Sequence, residues 1–332
     1  MAPSSAIKGK VVLVTGGTGS FGSTFIRAML DNHEPAAIRV YSRDELKQHE
    51  MARKFSGDPR LRFLIGDVRD LERLTLAMRG VDVVVHAAAL KHVPICEYNP
   101  FEAVQTNVVG AENIVSAAIK NDVEKTLALS TDKAVNPVNL YGATKLCAEK
   151  IVTQGNTYVG ESPARFATAR YGNVVGSRGS VIPLFKRQAL DGGLTITDEA
   201  MTRFWITLDH AVQFVIDSLE RLKGGEIFVP KIPSMRVTDI AEAIAPGVPC
   251  QIIGIRPGEK VHEVLLTEDE SRHAVGFDDY FAIYPSFQFW AADEYPRGSE
   301  LQPGFRYSSD TNTVWLDASQ IRDMAALVHA VD

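Results

Sequence analysis

A tyrosine and a lysine four residues apart carry the spacing in this 332-residue chain that has the clearest chemical meaning. Tyr141 and Lys145 lie in a predicted helix that continues to about residue 158, so their side chains share one face, one turn apart. A cation held beside a phenol lowers the pKa of the phenol and favours the phenolate, which can take a proton from a hydroxyl group. Taken alone, this spacing is common on helix surfaces, so its meaning depends on the rest of the chain.

A group of three residues that precedes Tyr141 in the sequence adds an acid, a base and a hydrogen-bond donor. Thr131, Asp132 and Lys133 follow an apolar run, residues 125–129, that is typical of a short buried strand. The Thr131 hydroxyl at the strand end can donate a hydrogen bond to the phenol oxygen. Asp132 and Lys133 would lie beside it at the same end of the strand. The set predicts hydride transfer combined with proton transfer at a neighbouring carbon.

A glycine-rich turn near the N-terminus predicts a dinucleotide site that would support this chemistry. Residues 10–15 have a buried-strand pattern, and a helical stretch extends to residue 30 after the turn. The turn reads Gly-x-x-Gly-x-x-Gly, the spacing of short-chain dehydrogenases rather than the Gly-x-Gly-x-x-Gly of classical ones. Glycine lets the backbone approach a pyrophosphate, which binds the N–H groups at the helix start. The predicted contacts in this turn are Gly16, Thr18, Gly19, Ser20, Phe21 and Gly22.

The end of the second predicted strand, residues 37–42, favours NADP over NAD. An NAD enzyme usually places an acidic residue there to bind the ribose 2′-hydroxyl. This chain has Ser42 and Arg43, with Lys47 one turn further on, and a hydroxyl with a guanidinium suits a 2′-phosphate. Asp44 leaves NAD open, since a shift of one or two residues would bring its carboxylate to the ribose.

Further strands are predicted at residues 61–65, 81–85 and 164–170. After the first of them, Asp67 and Val68 are the predicted adenine contacts. After the second, Ala87 and Ala89 would let the backbone lie close to the cofactor, and Lys91 would contact the nicotinamide ribose or the substrate.

Two polar residues near these strands have alternative interpretations. His86 and His92 have no partner with metal-ligand spacing, so His86 is interpreted as a structural residue at a strand end and no metal site is predicted. Asn107 lies on a helix predicted at residues 101–120, where a buried amide that bridges backbone groups and a catalytic amide are both open.

The alternation of strands and helices predicts an α/β fold with a doubly wound parallel sheet of the Rossmann type. We expect a dinucleotide-binding domain over residues 1–175 and a smaller α/β lobe over residues 176–332, whose segments can interleave with the first domain. In the lobe, strands are expected at residues 194–197, 226–229 and 251–255, and helices at residues 210–222 and 238–244. The most polar cluster there is residues 256–263, which is either a pyrophosphate clamp through Arg256 or a solvated charged loop.

Composition excludes several classes of protein. The formal net charge of -6 argues against nucleic acid as the main partner. Three scattered cysteines suggest neither a disulfide framework nor a zinc site, and we expect a reducing, cytoplasmic location. The N-terminal segment has no signal-peptide core, and no apolar run is long enough to span a membrane.

Four motifs together resemble the extended short-chain dehydrogenases/reductases. They are residues 15–22, 130–145, 170–183 and 256–263. More narrowly, they resemble the inverting UDP-N-acetylglucosamine 4,6-dehydratases that start pseudaminic acid synthesis for flagellin glycosylation. The pair Asp132 and Lys133 discriminates, because 4,6-dehydratases acting on dTDP-glucose have Asp-Glu there and ordinary 4-epimerases have neither an acid nor a base. The similarity runs from about residue 8 to beyond Glu263.

The resemblance implies a mechanism on the sugar. Tyr141, assisted by Lys145, would take the 4-hydroxyl proton while hydride passes from C4 to NADP. Lys133, kept neutral by the nearby charge of Lys145, would take the C5 proton, and protonated Asp132 would donate to the departing 6-hydroxyl. Return of hydride to C6 and protonation of C5 from the opposite face would invert that centre.

The resemblance also implies substrate contacts and an assembly. The expected contacts with UDP-N-acetylglucosamine are Lys91, Thr131, Asn173, Val181, Thr195, Glu199, Arg256 and Glu259. A homo-oligomer, either a dimer or a hexamer, is expected. One alternative is a UDP-sugar epimerase, or a bifunctional dehydratase/5-epimerase of capsule or O-antigen synthesis. Another is a non-catalytic NADP-binding regulator, against which the complete acid, base and tyrosine set argues.

Overall fold

The computed structural model describes residues 4–176, 181–290 and 294–326. Its strands are β1 (Val11–Thr15), β2 (Ala37–Ser42), β3 (Leu61–Ile65), β4 (Val83–His86), β5 (Lys125–Thr131), β6 (Arg165–Tyr171), β7 (Asn173–Val174), β8 (Leu194–Ile196), β9 (Thr202–Ile206), β10 (Ile227–Pro230), β11 (Ser234–Arg236), β12 (Cys250–Ile252), β13 (Val264–Leu266), β14 (Ala274–Gly276), β15 (Tyr280–Ile283), β16 (Ser299–Glu300) and β17 (Tyr307–Ser308). Its α-helices are α1 (Ser20–Asn32), α2 (Glu45–Lys54), α3 (Leu71–Ala77), α4 (Val93–Tyr98), α5 (Pro100–Val104), α6 (Gly110–Lys120), α7 (Leu140–Gln154), α8 (Val181–Leu190), α9 (Leu208–Arg221), α10 (Val237–Ile244), α11 (Glu268–Ser271) and α12 (Ala318–Ala326). In this part of the chain, no helix has both the length and the apolar character needed to cross a membrane.

One large sheet organises the fold. Its strands lie in the order β16-β14-β15-β10-β6-β5-β4-β1-β2-β3. Every neighbouring pair from β10 to β3 is parallel, and β15, β14 and β16 extend the sheet with antiparallel pairing. The predicted doubly wound α/β fold is confirmed.

Apolar side chains pack on both faces of this sheet because side chains alternate along each strand. In β1, Val12 and Val14 belong to a core that includes Phe25 of α1 and Val215 of α9. Leu13, between them, belongs to a second core with residues of α3, α6 and α7. Burial on both faces explains why these strands read as continuous apolar runs in the sequence.

The carboxyl ends of β1, β4 and β5 lie side by side at one edge of the sheet. Thr15 is paired with His86, and His86 is paired with Ala128. Strand β5 continues beyond that level to Thr131, which is paired with Tyr171 at the end of β6. The residues that follow β1, β4 and β5 are therefore brought together, as expected for ligand sites in open parallel sheets.

The structure corrects the placement of the strand predicted at residues 226–229. This segment was expected in the C-terminal lobe, but β10 pairs in parallel with β6 in the large sheet, with Ile227 opposite Thr168. All four residues of β10 are buried, which is typical of a strand covered on both faces rather than of a small peripheral sheet.

The remaining strands form three small sheets, β11-β9-β7, β12-β8 and β13-β17. A third core includes Phe185 of α8, Trp205 of β9, Ile240 of α10 and Ile321 of α12. The large sheet and the smaller lobe thus interleave along the chain after residue 175, and the division into two domains at that point stays a prediction.

A buried arginine joins three parts of the fold. Arg170 of β6 is 1% exposed, and its Nε and Nη2 donate to the two carboxylate oxygens of Glu149 at 2.9 and 2.7 Å. The same guanidinium donates to Glu270 at 2.9 and 3.1 Å and to the Leu265 carbonyl at 3.0 Å. Glu149 lies on α7, one turn after Lys145, so this ion cluster ties α7 to the sheet and to α11.

We expect Arg170→Met to lower the free energy of unfolding by about 3 kcal/mol, because it leaves the buried carboxylate of Glu149 and the partly buried one of Glu270 without their counter-ion. Urea denaturation followed by circular dichroism measures this. Arg62→Met, on the exposed side of the edge strand β3, is the matched control, and a change below about 1 kcal/mol is expected there. Equal destabilisation by both variants would contradict the assigned role of the buried cluster.

Candidate active site

Two glycines open the cradle for a dinucleotide at the end of β1. Gly16 has a φ of 64°, and a Cβ atom there would lie 2.8 Å from the backbone nitrogen of Ala88. A Cβ atom on Gly22 would lie 2.5 Å from the Cα of Gly17, so only glycine lets α1 pack this closely on the turn. The backbone of the turn therefore lies against the loop after β4, which contains Ala87.

The start of α1 offers backbone donors to an anion. Gly19 is the N-cap, and it has no side-chain hydrogen bond to the helix. No acidic residue lies in the first turn, which contains Ser20, Phe21 and Gly22. A helix start of this kind binds phosphate through its N–H groups and its dipole. Together with the glycine cradle, this donor set fits the pyrophosphate of a dinucleotide.

The region expected to bind the adenosine ribose contains hydroxyl and guanidinium groups. The hydroxyls of Thr18 and Ser42 are 2.8 Å apart. The Arg43 side chain is 53% exposed and lies 3.4 Å from Asp67. Asp44 accepts the Lys47 N–H as the N-cap of α2 and pairs with the Lys47 ammonium at 2.6 Å, so both of its carboxylate oxygens are engaged.

The predicted adenine contacts follow β3. The Tyr41 hydroxyl donates to the Asp67 carbonyl at 2.9 Å, and Asn113 of α6 donates to the Val68 carbonyl at 2.9 Å. Although burial opposes it, hydrogen bonds from Arg69 give the Asp67 carboxyl a lowered pKa. These bonds fix the loop that would lie against the adenine.

The loop after β4 is held by a buried amide, which answers the open question about Asn107. Its Oδ1 accepts the Leu90 N–H and its Nδ2 donates to the Leu90 carbonyl, both at 2.9 Å. A third bond runs to the Thr144 hydroxyl at 3.0 Å. Asn107 therefore has the backbone-bridging role, and it lies in a π-helical turn, Gln105–Val109, of the helix predicted at residues 101–120. It positions Ala89 and the exposed Lys91 on either side of Leu90.

His86 is a structural residue at the end of β4, as predicted. Its Nδ1 lies 2.8 Å from the Thr15 hydroxyl, and it is 2% exposed. Burial, and then the charge of Lys145, lower the pKa of His86 to about 3, so the imidazole is neutral. Among the described residues, no three His, Cys, Asp or Glu side chains are grouped so that they could hold a metal ion.

Thr131, Asp132 and Lys133 form one hydrogen-bonded cluster at the end of β5. The Thr131 hydroxyl donates to Asp132 Oδ1 at 2.9 Å, and Lys133 Nζ donates to the same oxygen at 3.1 Å. Lys133 Nζ also donates to the side-chain oxygen of Asn173 at 3.2 Å. Asp132 is fully buried, and its other carboxylate oxygen has no hydrogen-bond partner among the described residues.

Tyr141 joins this cluster, and the described hydrogen bond of Lys145 runs elsewhere. Burial raises the pKa of Tyr141 to about 12, and the Lys133 charge and a hydrogen bond with Thr131 oppose that rise. Lys145 Nζ instead donates to the Leu129 carbonyl at 2.7 Å. Burial lowers the pKa of Lys145 to about 8, and Glu149 opposes this effect. Lys133 is thus one cation that favours the phenolate, and assistance from Lys145 stays a prediction.

The structure also corrects the expected protonation state of Lys133. Lys145 was expected to keep this lysine neutral. Burial does lower the pKa of Lys133, and Arg203 lowers it further, but the charges of Asp132 and Glu263 outweigh both and leave the pKa raised. Lys133 is therefore an ammonium at neutral pH in this arrangement.

Sequence reasoning missed two parts of the site. Arg203 of β9 lies 3.9 Å from Glu263, and its signal was a charged residue inside an otherwise apolar strand. Glu263 lay inside the polar cluster at residues 256–263, but Arg256 and Glu259 were chosen from that cluster as the functional residues. A sequence pattern does not show which member of such a cluster points inward.

The residues predicted to bind the substrate do not all lie beside Lys133. Asn173 contacts Lys133, but Thr195 hydrogen-bonds to Gln188 within the smaller lobe. Arg256 and Glu259 lie 3.9 Å from each other, and Arg256 is 52% exposed. Glu199 is exposed between β8 and β9, and Val181 begins α8. Residues 177–180 of the third motif lie outside the described residues.

Two hydrogen bonds hold the 256–263 loop against the segment between Lys133 and Tyr141. Asn139, the N-cap of α7, donates to the Gly258 carbonyl at 2.8 Å. Lys260 Nζ donates to the Val135 carbonyl at 2.5 Å. The loop that carries Arg256 and Glu259 is therefore held against the segment that follows Lys133, although no described hydrogen bond joins these two residues to Lys133 or Tyr141.

The fold and this site define an extended short-chain dehydrogenase/reductase. A family model described as "Polysaccharide biosynthesis protein" matches residues 12–285, and the chain belongs to that family. It is 52% identical over 324 residues to the UDP-N-acetylglucosamine 4,6-dehydratase (inverting) of Campylobacter jejuni, covering 95% of this chain and 97% of that protein. It is 44% identical over 282 residues to the UDP-glucose 4-epimerase of Rickettsia canadensis, covering 82% of each.

Solved structures share the architecture. Pen from Bacillus thuringiensis is 38% identical with a TM-score of 0.87, covering 97% of this chain and 99% of that chain. DesIV, a dTDP-glucose 4,6-dehydratase from Streptomyces venezuelae with NAD and TYD bound, is 25% identical with a TM-score of 0.67. That match covers 76% of this chain and 86% of the DesIV chain.

Proposed function

We propose that this chain is a UDP-N-acetylglucosamine 4,6-dehydratase that inverts C5 and forms UDP-2-acetamido-2,6-dideoxy-β-L-arabino-hex-4-ulose. The observation that carries the proposal is the 3.1 Å contact between Lys133 and Asp132 in the cluster that includes Tyr141. Epimerisation at C4 needs a group that moves the hydroxyl proton. Elimination of water also needs a base for C5 and an acid for the C6 oxygen. The high identity to the inverting dehydratase of C. jejuni supports the same choice.

In the proposed first step, Tyr141 takes the proton of the 4-hydroxyl as a phenolate, after its own phenol proton has passed to solvent. Its phenol is protonated at rest because burial raises its pKa to about 12. The Lys133 charge and the Thr131 hydroxyl stabilise the phenolate, so both residues lower the cost of forming it. When bound, the dinucleotide supplies the hydride acceptor and donor that oxidation at C4 and reduction at C6 require.

In the proposed elimination, Lys133 takes the C5 proton and Asp132 donates a proton to the departing 6-hydroxyl. Lys133 must first lose its own proton, so the rate is expected to rise with pH over the range in which the ammonium titrates. Asp132 must carry a proton at this step, and the Lys133 ammonium, 3.1 Å from its Oδ1, can supply one. The other carboxylate oxygen, which has no hydrogen-bond partner among the described residues, can hold that proton until it leaves with water. Asn173 holds Lys133 at 3.2 Å and keeps the ammonium nitrogen oriented.

Within this proposal the cofactor is NADP. The DesIV structure has NAD bound, which supports a nicotinamide dinucleotide in the same cradle. The choice of NADP rests on Arg43 and Ser42 at the end of β2 and on the engagement of both Asp44 oxygens with Lys47. A guanidinium with half of its surface exposed is suited to a 2′-phosphate.

A UDP-sugar epimerase is the second candidate, and the identity to a Rickettsia UDP-glucose 4-epimerase favours it. Tyr141 and Lys145 would serve that reaction equally well. The buried acid at residue 132 and the partly buried base at residue 133 then have no catalytic use, which is the reason to place this candidate second.

The surroundings of the enzyme are also proposals. Exposed apolar side chains on α4 and α5, Ile95, Tyr98 and Phe101, support a homo-oligomer. Three free cysteines support a reducing cytoplasm. Entry of the product into pseudaminic acid synthesis for flagellin glycosylation follows from the resemblance to the inverting dehydratases.

Incubation with UDP-N-acetylglucosamine in deuterated water tests the reaction. We expect loss of one water from the sugar, a new C6 methyl signal in the proton NMR spectrum, and deuterium at C5. Lys133→Ala should stop elimination, lowering kcat by about a thousandfold, in line with the loss of an acid–base group and its positioning. A product of unchanged mass with an altered C4 or C5 configuration would instead establish the epimerase.

The preference for NADP is tested by Arg43→Ala. We expect its affinity for NADP to fall about tenfold, the effect of losing one charge-assisted contact, while its affinity for NAD stays within about twofold. Isothermal titration calorimetry measures both, and Arg53→Ala, exposed at the end of α2, is the matched control. Tighter binding of NAD than NADP by the unchanged protein would overturn the assignment.

A further inference from the structure

A buried glutamate from the segment before β13 faces the proposed base. Glu263 is 3% exposed, and its Oε1 lies 3.5 Å from Lys133 Nζ. Two other cations face the same carboxylate, Lys260 at 3.7 Å and Arg203 at 3.9 Å. A carboxylate at this depth is costly unless it has charged partners, so its position among three cations indicates a specific use.

The C-terminal part of the chain fixes the backbone of this glutamate. The Glu263 N–H donates to the Ser309 hydroxyl at 2.9 Å, and the Ser309 N–H donates to the Glu263 carbonyl at 2.8 Å. The Ser309 hydroxyl also lies 2.6 Å from that of Thr202, which in turn lies 2.8 Å from Nδ1 of His262. Strand β17, next to Ser309, pairs with β13. This network gives the segment around Ser309 a structural task at the site.

The three cations stand at 3.5 to 3.9 Å from the carboxylate, and its Oε2 has no hydrogen-bond partner among the described residues. At these distances the attraction between the three cations and the Glu263 carboxylate is mainly electrostatic, rather than that of short hydrogen bonds. Lys133 makes its closest contacts with Asp132 at 3.1 Å and Asn173 at 3.2 Å. Lys133 is thus held from one side by the end of β5 and from the other by the loop before β13.

We propose that Glu263 is a positioning residue for Lys133: it anchors the ammonium from the C-terminal part of the chain and sets the pH at which Lys133 becomes a free amine. The use of that amine as the C5 base rests on the proposed function, whereas the coupling between the two side chains does not. Neither the sequence motifs nor the comparisons with known proteins assign this role to Glu263.

The sign of the effect follows from the charges around Lys133. Asp132 and Glu263 favour its ammonium, Arg203, Lys260 and burial oppose it, and Tyr141 couples to it. Replacing Glu263 by glutamine removes one of the two negative charges and keeps the side-chain shape. The pKa of Lys133 must then fall, and a larger fraction of the lysine is neutral at any pH below its wild-type pKa.

Competitive acetylation measures this directly. Wild type and Glu263→Gln are labelled with trace acetic anhydride between pH 7 and 10, and modification of Lys133 is quantified by peptide mass spectrometry against the exposed Lys54. We expect at least tenfold faster labelling of Lys133 at pH 8 in the variant. Glu226→Gln is the matched control, since Glu226 is also buried but accepts its hydrogen bonds from backbone N–H groups of Lys223 and Gly224.

A second variant protects the test against simple misfolding. Glu263→Asp retains the charge, and we expect its labelling rate to lie closer to wild type than to Glu263→Gln, with all variants compared by thermal melting. In turnover, the acid limb of kcat against pH should move to lower pH in Glu263→Gln, with KM changed less than threefold. Identical labelling in wild type and Glu263→Gln would overturn the inference, even if the dehydratase reaction is established. A labelling shift in a protein that does not dehydrate the sugar would support the coupling and reject the proposed function.

Discussion

Three parallel strands, β1, β4 and β5, end side by side, and the candidate active site is built on those ends. The glycine turn after β1 lies against the loop after β4, so that a dinucleotide can approach both backbones. Strand β5 runs further than its neighbour β4 and delivers Thr131, Asp132 and Lys133 at the same edge. Parallel strands give this convergence automatically, because all their carboxyl ends lie on one side of the sheet.

Electrostatic balance then decides what those residues can do. Tyr141 and Lys133 are both protonated at neutral pH in this arrangement, since burial raises the pKa of the phenol and two carboxylates raise the pKa of the lysine. The residues are therefore arranged as a coupled set in which moving one proton changes the cost of moving the next. Glu263 brings the C-terminal part of the chain into that set, so the packing of that part and the charge of the proposed base are physically linked.

Much of this architecture could be predicted from the sequence, because strands buried on both faces and glycines at fixed spacing leave local signals. The bounds of β2 and β3 match the apolar runs, and Tyr141 and Lys145 lie on α7 as expected. The partners of individual charges could not be predicted in the same way. Lys145 was assigned to Tyr141 by spacing, but its ammonium bonds to the Leu129 carbonyl. Arg203 and Glu263 reach Lys133 through tertiary packing of segments 70 and 130 residues away in the sequence, which leaves no local signal. The strand β10 was misplaced for a related reason, since an apolar run does not state which sheet it joins.

One cluster of residues is proposed to oxidise C4 and to eliminate water across C5 and C6. Tracing a hydrogen label from C4 to C6 of the sugar tests this most directly. UDP-N-acetylglucosamine carrying deuterium at C4 would be incubated with the purified protein, and the product would be examined by mass spectrometry and deuterium NMR. We expect a dehydrated sugar that retains the deuterium in its C6 methyl group. Deuterium still at C4, in a product with no loss of water, would contradict it.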